Sequence, residues 1–341
     1  MSHQQSRRDA LKLLAATALA GAAPLPFGQA QAAGNLRIAM VVKALGIGFF
    51  DACRDGGQEA VKELGNAELI YTGPTATTGE AQIQVIDGLI AQKVNAIAVS
   101  ANDPDALVPV CKKALQRGIK VISFDSAVGP AGRIMHLNPS NNDLIGSKCV
   151  QMIAGTLHNE GEVAILSATT TSTNQNTWIE KMKVEWAKPD YAKMKLVATV
   201  YGDDLADKSY RETVALLKAH PNLKGIIAPT SVGIVAAAKA VVDNGLVGKV
   251  YVSGLGLPSE MKAAVLAGAT DTFAIWNPID LGYTATMIAA ALVKGEATGK
   301  AGTVVKAGRM GDIKIGEGNE AAMADPFTFD KTNIEKFSKI F

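Results

Sequence analysis

The chain has 341 residues, of which 48% are hydrophobic and 19% charged, and its formal net charge is +2. That length fits one large or two medium domains at about 100–200 residues each. The near-balanced charge, with no basic run interleaved with aromatics, excludes a nucleic-acid surface.

Residues 1–32 read as an export leader. Ser6 to Lys12 is a charged opening, Leu13 to Ala23 an apolar stretch and Ala30-Gln31-Ala32 a small-residue cleavage site. The adjacent Arg7 and Arg8 point to the twin-arginine route, although Ala10 stands where that signal carries Phe. The apolar stretch is shorter than the ~20 residues of a membrane span, and an amphipathic first helix is the competing reading. The expected location is the periplasm, with a soluble, monomeric product. Losing Arg7, Arg8 and Lys12 together with Asp9 leaves the remainder electrically balanced.

Beyond the leader, strand-length apolar runs fall at 36–42, 67–71, 95–100, 119–124, 133–137, 162–167, 195–200, 224–228, 249–253 and 272–276. Helical spacing occupies 51–64, 80–92, 105–117, 142–158, 175–187, 208–219, 232–244, 258–267 and 280–294. Alternation of this kind predicts parallel sheets covered by helices on both faces. Two sheets of about five or six strands are expected rather than one of ten. The small, turn-rich run Ser126 to Gly132, with His136 to Ser140 after it, marks a boundary. Trp276-Asn277-Pro278 marks a second crossing and Ala307-Gly308-Arg309 a third. The expected fold is therefore α/β, with two doubly wound parallel-sheet lobes joined by a three-crossing hinge. One lobe would hold 33–136 plus 278–307, and the other 137–277 plus 308–341.

Cys53, Cys111 and Cys149 are odd in number and widely spaced, which does not suit a disulfide framework. They fall among Ala, Leu and Val on predicted helices and read as buried free thiols. Oxidation of one pair after export is the alternative. The histidines, His3, His136, His158 and His220, lack metal-ligand spacing. Neither a G-x-S-x-G elbow, a Walker A loop nor a G-x-G-x-x-G run is present, and Gly254-Leu255-Gly256 lacks a third glycine. No catalysis, metal or cofactor is expected.

Hydrogen-bonding residues instead gather at the C-terminal ends of predicted strands, where open α/β sheets bind ligands. Lys43, Asn102, Asp103, Asp125, Asn174, Gln175, Pro229, Thr230, Ser231, Trp276 and Asn277 all sit there. The first strand runs into its helix through Gly46-Ile47-Gly48-Phe49-Phe50, with glycines for the turn and rings where a phosphate-binding loop has only backbone. One phenylalanine is expected to pack and the other to face ligand. Amides and carboxylates suit hydroxyls that both donate and accept, and ring faces suit the C–H face of a sugar. Asp125, at the end of an apolar strand, needs a partner, and Lys43 on a neighbouring strand is the expected one. Plainer roles compete at several positions: a helix cap at Asp103 and Ser231, a strand stop at Pro229, and helix packing at Trp178.

Four segments carry a resemblance: Val41–Phe50, Ala228–Gly233, Gly254–Met261 and Phe273–Tyr283. They resemble the ribose-type periplasmic solute-binding proteins of ABC importers, most closely the rhamnose-binding branch, and share much with the autoinducer-2 receptors. The resemblance implies ligand contacts at Lys43, Asp125, Asn174, Gln175, Pro229 and Ser231, and stacking at Phe49 and Phe50. The chain departs from the receptor pattern at Asn174 (there Asp) and Ser231 (there Ala). It departs from the ribose-type pattern at Gly256 (there Asp) and Trp276 (there a polar amide). The last two changes remove polar groups and add room, which would suit the methyl of a 6-deoxy sugar against Trp276 and Ile47 or Phe49. Lys43, Phe49, Phe50 and Asp125 would bind from one lobe, and Asn174, Gln175, Thr230 and Gly256 from the other. The implied function is delivery of rhamnose to a membrane permease. The alternative is a receptor for autoinducer-2, a pentose or a sugar alcohol, with a chemoreceptor as a further partner.

Overall fold

The computed structural model describes residues 35–341, so the expected leader lies outside the described residues. The chain opens with β1 (Leu36–Val41), α1 (Gly48–Leu64), β2 (Ala67–Thr72), α2 (Gly79–Ala91), β3 (Ala96–Val99), α3 (Val108–Gln116), β4 (Lys120–Phe124) and β5 (His136–Asn138). These strands are fully parallel, and their alternation is apolar on both faces. Ile38 and Met40 join one buried cluster while Ala39 and Val41 join another. Both faces must therefore be covered by helices.

The second series is α4 (Asn142–Leu157), β6 (Glu160–Ser167), α5 (Thr173–Trp186), β7 (Lys193–Tyr201), α6 (Ala206–Ala219), β8 (Leu223–Ala228), α7 (Ser231–Asp243), β9 (Tyr251–Gly254), α8 (Pro258–Ala267) and β10 (Thr272–Ile275). It builds a four-stranded parallel sheet in the order β7-β6-β8-β9. A parallel bridge from Leu255 to Ala274 carries that sheet on to β10. The chain then returns as α9 (Pro278–Lys294), which packs along α1. The closing segments are β11 (Val304–Lys306), β12 (Asp312–Lys314), β13 (Glu320–Ala322), β14 (Phe327–Asp330) and α10 (Ile334–Phe337).

This is the α/β architecture of two parallel-sheet lobes, but the lobe boundaries differ from the expected ones. Strand β13 lies beside β5 in the first sheet, whose order is β13-β5-β4-β3-β1-β2. The first crossing accordingly runs through 139–141, and the third lies between β13 and β14 rather than near Arg309. The segment 308–322 belongs with the first sheet, and β14 returns to pair antiparallel with β10. Strand β13 has three residues, too few to show a period of two, and Glu320-Ala321-Ala322 has helical composition, whereas β5 falls at the end of the expected run 133–137. The β11–β12 hairpin is antiparallel, another feature that alternation did not predict.

All three cysteines are buried and free. Among the described residues, no helix is long and apolar enough to cross a membrane.

Candidate ligand-binding site

Between the lobes lies a tight cavity of about 40 Å³, well below the roughly 300–1,000 Å³ of open small-molecule sites. It is built where the strands of both sheets end. Strand β1 passes through Lys43 into a turn at Gly46, whose φ of +84° suits glycine, and α1 opens with Phe49 and Phe50. Strand β4 ends at Asp125, held at a φ of +57°. From the other lobe, α5 presents Asn174, Gln175 and Trp178, the loop after β7 presents Asp204, and β8 leads into Pro229, Thr230 and Ser231. Leu255, Ile275 and Trp276 complete the wall.

One side is polar. Asn174 sits between Lys43 and Asp125: its Oδ1 accepts from the Lys43 ammonium at 3.3 Å, and its Nδ2 donates to Asp125 Oδ1 at 2.9 Å. Asp125 also accepts from Ser100 Oγ at 2.7 Å. Burial pushes the Asp125 carboxyl above its ordinary value, while the Lys43 ammonium and the hydrogen bonds from Ser100 and Asn174 pull it back. Gln175 spends its carbonyl oxygen on Ser167 Oγ and the Ala168 N–H, which leaves its NH2 for a ligand. Thr230 Oγ1 donates to Asp204 and accepts from the Gly233 N–H, so it caps α7 as well as lining the cavity.

The other side is aromatic. Phe49 meets Phe50 edge-on at 5.2 Å between centroids and Trp276 at 6.1 Å, and Trp276 meets Trp178 at 5.6 Å. Edge-to-face packing locks these rings. The Trp276 indole N–H is buried without a protein partner, so this wall contributes a donor as well as apolar surface.

Of the residues expected from sequence, Lys43, Ile47, Phe49, Phe50, Asp125, Asn174, Gln175, Pro229, Thr230, Ser231 and Trp276 line the cavity together. Asn102, Asp103, Gly256 and Asn277 do not. Asn102 is buried beneath the site, donating to the Lys43 and Thr78 carbonyls. Asp103 accepts from the N–H groups of Asp105 and Ala106, a turn role. Asn277 caps α9 through the Ile279 N–H. A Cβ on Gly256 would press on Ile234 and Met261 at 2.8 and 2.9 Å, so its missing side chain makes room for core packing and not for ligand.

Two further expectations need correction. Both phenylalanines pack and both line the cavity, at 6% and 3% exposure. Lys43 and Asp125 do not sit on neighbouring strands, because β3 lies between β1 and β4, and Asn174 joins them. Asp204, Leu255, Ile275 and Trp178 were missed as lining residues. The strand-end rule applied to β7, β9 and β10 points to the first three, whereas Trp178 lies a helical turn beyond Gln175 and only the fold brings it inward. Among the described residues, no cluster of His, Cys, Asp and Glu could hold a metal ion.

Residues 38–297 match the periplasmic binding protein domain. The chain belongs to that family. This periplasmic binding protein is 32% identical over 255 residues to a D-ribose/D-allose-binding protein of Pseudomonas aeruginosa, covering 71% of the chain and 78% of the relative. It superposes with a TM-score of 0.86 on an ABC transporter solute-binding protein from Clostridium phytofermentas with bound L-rhamnose, at 35% identity, covering 90% of this chain and 99% of that one. LsrB from Clostridium saccharobutylicum, in complex with AI-2, shares the fold at a TM-score of 0.84 and 21% identity, covering 88% and 99% of the two chains.

Proposed function

We propose that this periplasmic binding protein is the sugar-binding subunit of an ABC importer, and that its ligand is a 6-deoxyhexose, L-rhamnose first. The observation that carries the reading is the two-sided cavity. The Lys43–Asn174–Asp125 line faces a wall of Phe49, Trp178 and Trp276, and each side draws residues from both lobes. A sugar has the matching two sides, a rim of hydroxyls and an apolar face of C–H bonds.

Lys43 has two donors left after Asn174, Gln175 has its NH2, and Trp276 has its indole N–H. These can meet hydroxyl oxygens, while Asp125 and Asp204 accept hydroxyl protons. The methyl of a deoxy sugar would lie against Phe49, Ile47 and the face of Trp276. A methyl buried there is worth about 0.8 kcal/mol, and a hydroxyl left without a partner costs about 1–3 kcal/mol. The 35% identity to a protein holding L-rhamnose supports the same choice.

A ligand that touches both lobes favours the closed arrangement over the open one by its differential contacts. A permease could then select the closed form. Thermal-shift screening against L-rhamnose, fucose, ribose, allose, mannose, erythritol and autoinducer-2 tests the reading, since a ligand bound only by the folded protein raises its melting temperature. Calorimetry should then show L-rhamnose binding at least tenfold more tightly than mannose. Equal affinities would remove the role given to the aromatic wall, and a response to ribose or allose alone would move the ligand class to the sugars of the Pseudomonas relative.

A further inference from the structure

Trp178 lines the cavity, yet its indole N–H points away from any role there: it donates to Asn142 Oδ1 at 2.8 Å. Asn142 in turn donates through Nδ2 to Asn138 Oδ1 at 3.2 Å, and Asn138 Nδ2 donates to Glu320 Oε2 at 3.1 Å. Glu320 Oε1 accepts from Arg133 Nη2 at 2.7 Å. The Arg133 side chain is 3% exposed, and its remaining nitrogens are spent on the carbonyls of Val128, Gly318 and Asn319. A continuous polar line therefore runs from the cavity wall in one lobe to the edge strands of the other.

Its position in the fold is specific. Asn138 ends β5 and Asn142 begins α4, so the bond between them spans the first crossing. Glu320 begins β13, the last strand before the third crossing, and pairs in register with His136. The two crossings run side by side here, because the carbonyls of Asn138 and Pro139 accept from Met323 and Ala324. Rotation of the lobes about these crossings acts across the Asn142–Asn138 bond, whereas the Trp178–Asn142 bond lies within one lobe and the Asn138–Glu320–Arg133 group within the other. The Asn142–Asn138 bond is thus the link of this line that crosses from one lobe to the other.

We propose that Asn142 and Glu320 are positioning residues that tie the orientation of Trp178 to the hinge, so that the shape of the cavity wall and the closed arrangement of the lobes are set together. The inference rests on reading this cleft as the ligand site, and its physical warrant is that the line crosses the hinge at Asn138 and Asn142.

The test uses the full chain with fluorescent labels on Lys112→Cys and Lys218→Cys, exposed positions on opposite lobes; the native thiols are buried. Interlobe distance is read by energy transfer, first without ligand and then with L-rhamnose. Asn142→Asp keeps the acceptor for Trp178, loses the donor to Asn138, and places a carboxylate at a helix N-terminus, where it is tolerated. Glu320→Gln keeps the shape and removes the charge facing Arg133. Each variant should raise the open-to-closed ratio at least threefold, and the double variant should do no more than the stronger single, as expected for residues on one line. The rate of L-rhamnose release should rise by a similar factor. Multiplicative effects in the double variant would overturn the coupling, as would unchanged distances with only a lower melting temperature. Trp178→Phe, which removes the N–H and keeps a ring, replaces Glu320→Gln should that variant fail to fold. Distances that shift as expected while L-rhamnose does not bind would leave the hinge line standing and remove the ligand reading.

Discussion

Asn174 is the residue on which the cavity turns. Its amide accepts from Lys43 through the oxygen and donates to Asp125 through the nitrogen at once. An aspartate at this position could satisfy Lys43 but would set a second carboxylate against Asp125, already raised by burial. Asn174→Asp should weaken sugar binding at neutral pH about tenfold or more, with partial recovery on acidification as the pair takes up a proton, measured by calorimetry at pH 7.5 and 5.5; undiminished affinity at neutral pH would count against the bridging role. His136 supplies a separate pH effect. It is buried against Ser123 Oγ at 2.9 Å, and burial first, then Arg133, hold its pKa down at about 4. The unfolded chain, with an ordinary histidine near pKa 6.5, takes up the proton first as pH falls. Stability from the neutral imidazole is thus complete above about pH 6.5 and lost as pH drops toward about 4. The melting temperature should fall between pH 7 and 5, and His136→Gln should flatten that fall; an unchanged slope would show that His136 does not control it.

At the level of elements, α1 and α9 pack backbone against backbone, and two glycines permit it. A Cβ on Gly56 would sit 1.7 Å from the Ile279 carbonyl oxygen, and one on Gly282 would sit 1.9 Å from that of Cys53. Backbone cannot yield as a side chain can, so the helices would have to separate. Gly282→Ala should cost about 1–3 kcal/mol or more, visible as a drop of several degrees in melting temperature by calorimetric scanning. The elements also show where sequence reading runs out. Strands such as Ile226-Ile227-Ala228 and helices such as α9 announce themselves by length and period. Strand β13 does not, because three residues carry no period and its pairing is decided by the hinge segment that delivers it. The polar strand ends were legible for the same reason as the strands, since a hydrophilic residue closing an apolar run stands out. Trp178 and the buried support role of Asn102 were not, because both depend on which helix or loop the sheet places beneath the cavity.

At the scale of the molecule, the two lobes touch directly around the cavity. Thr171 Oγ1 donates to the Asn102 carbonyl at 2.7 Å, Thr173 Oγ1 to that of Ala127 at 3.1 Å, and Thr77 Oγ1 to that of Asp203 at 2.9 Å. These bonds stabilise closure independently of a sugar. One hydrogen bond is worth about 1 kcal/mol, so Thr171→Val should shift the closed-to-open ratio on the order of fivefold, seen as a larger radius of gyration in small-angle X-ray scattering of ligand-free protein. No change in that radius would mean the threonine contacts do not hold the lobes.

The sequence by itself determined the alternation of strands and helices, the two-lobe architecture and most of the polar and aromatic side chains that meet in the cavity. Those follow from local causes: period, turn chemistry and the exit of each strand from its sheet. The tertiary structure alone decided that Asn174 joins Lys43 to Asp125, that Gly256 serves the core, and that β13 belongs with β5. Each of these depends on residues far apart in the chain being brought together by the sheet order and the hinge, which no local pattern encodes.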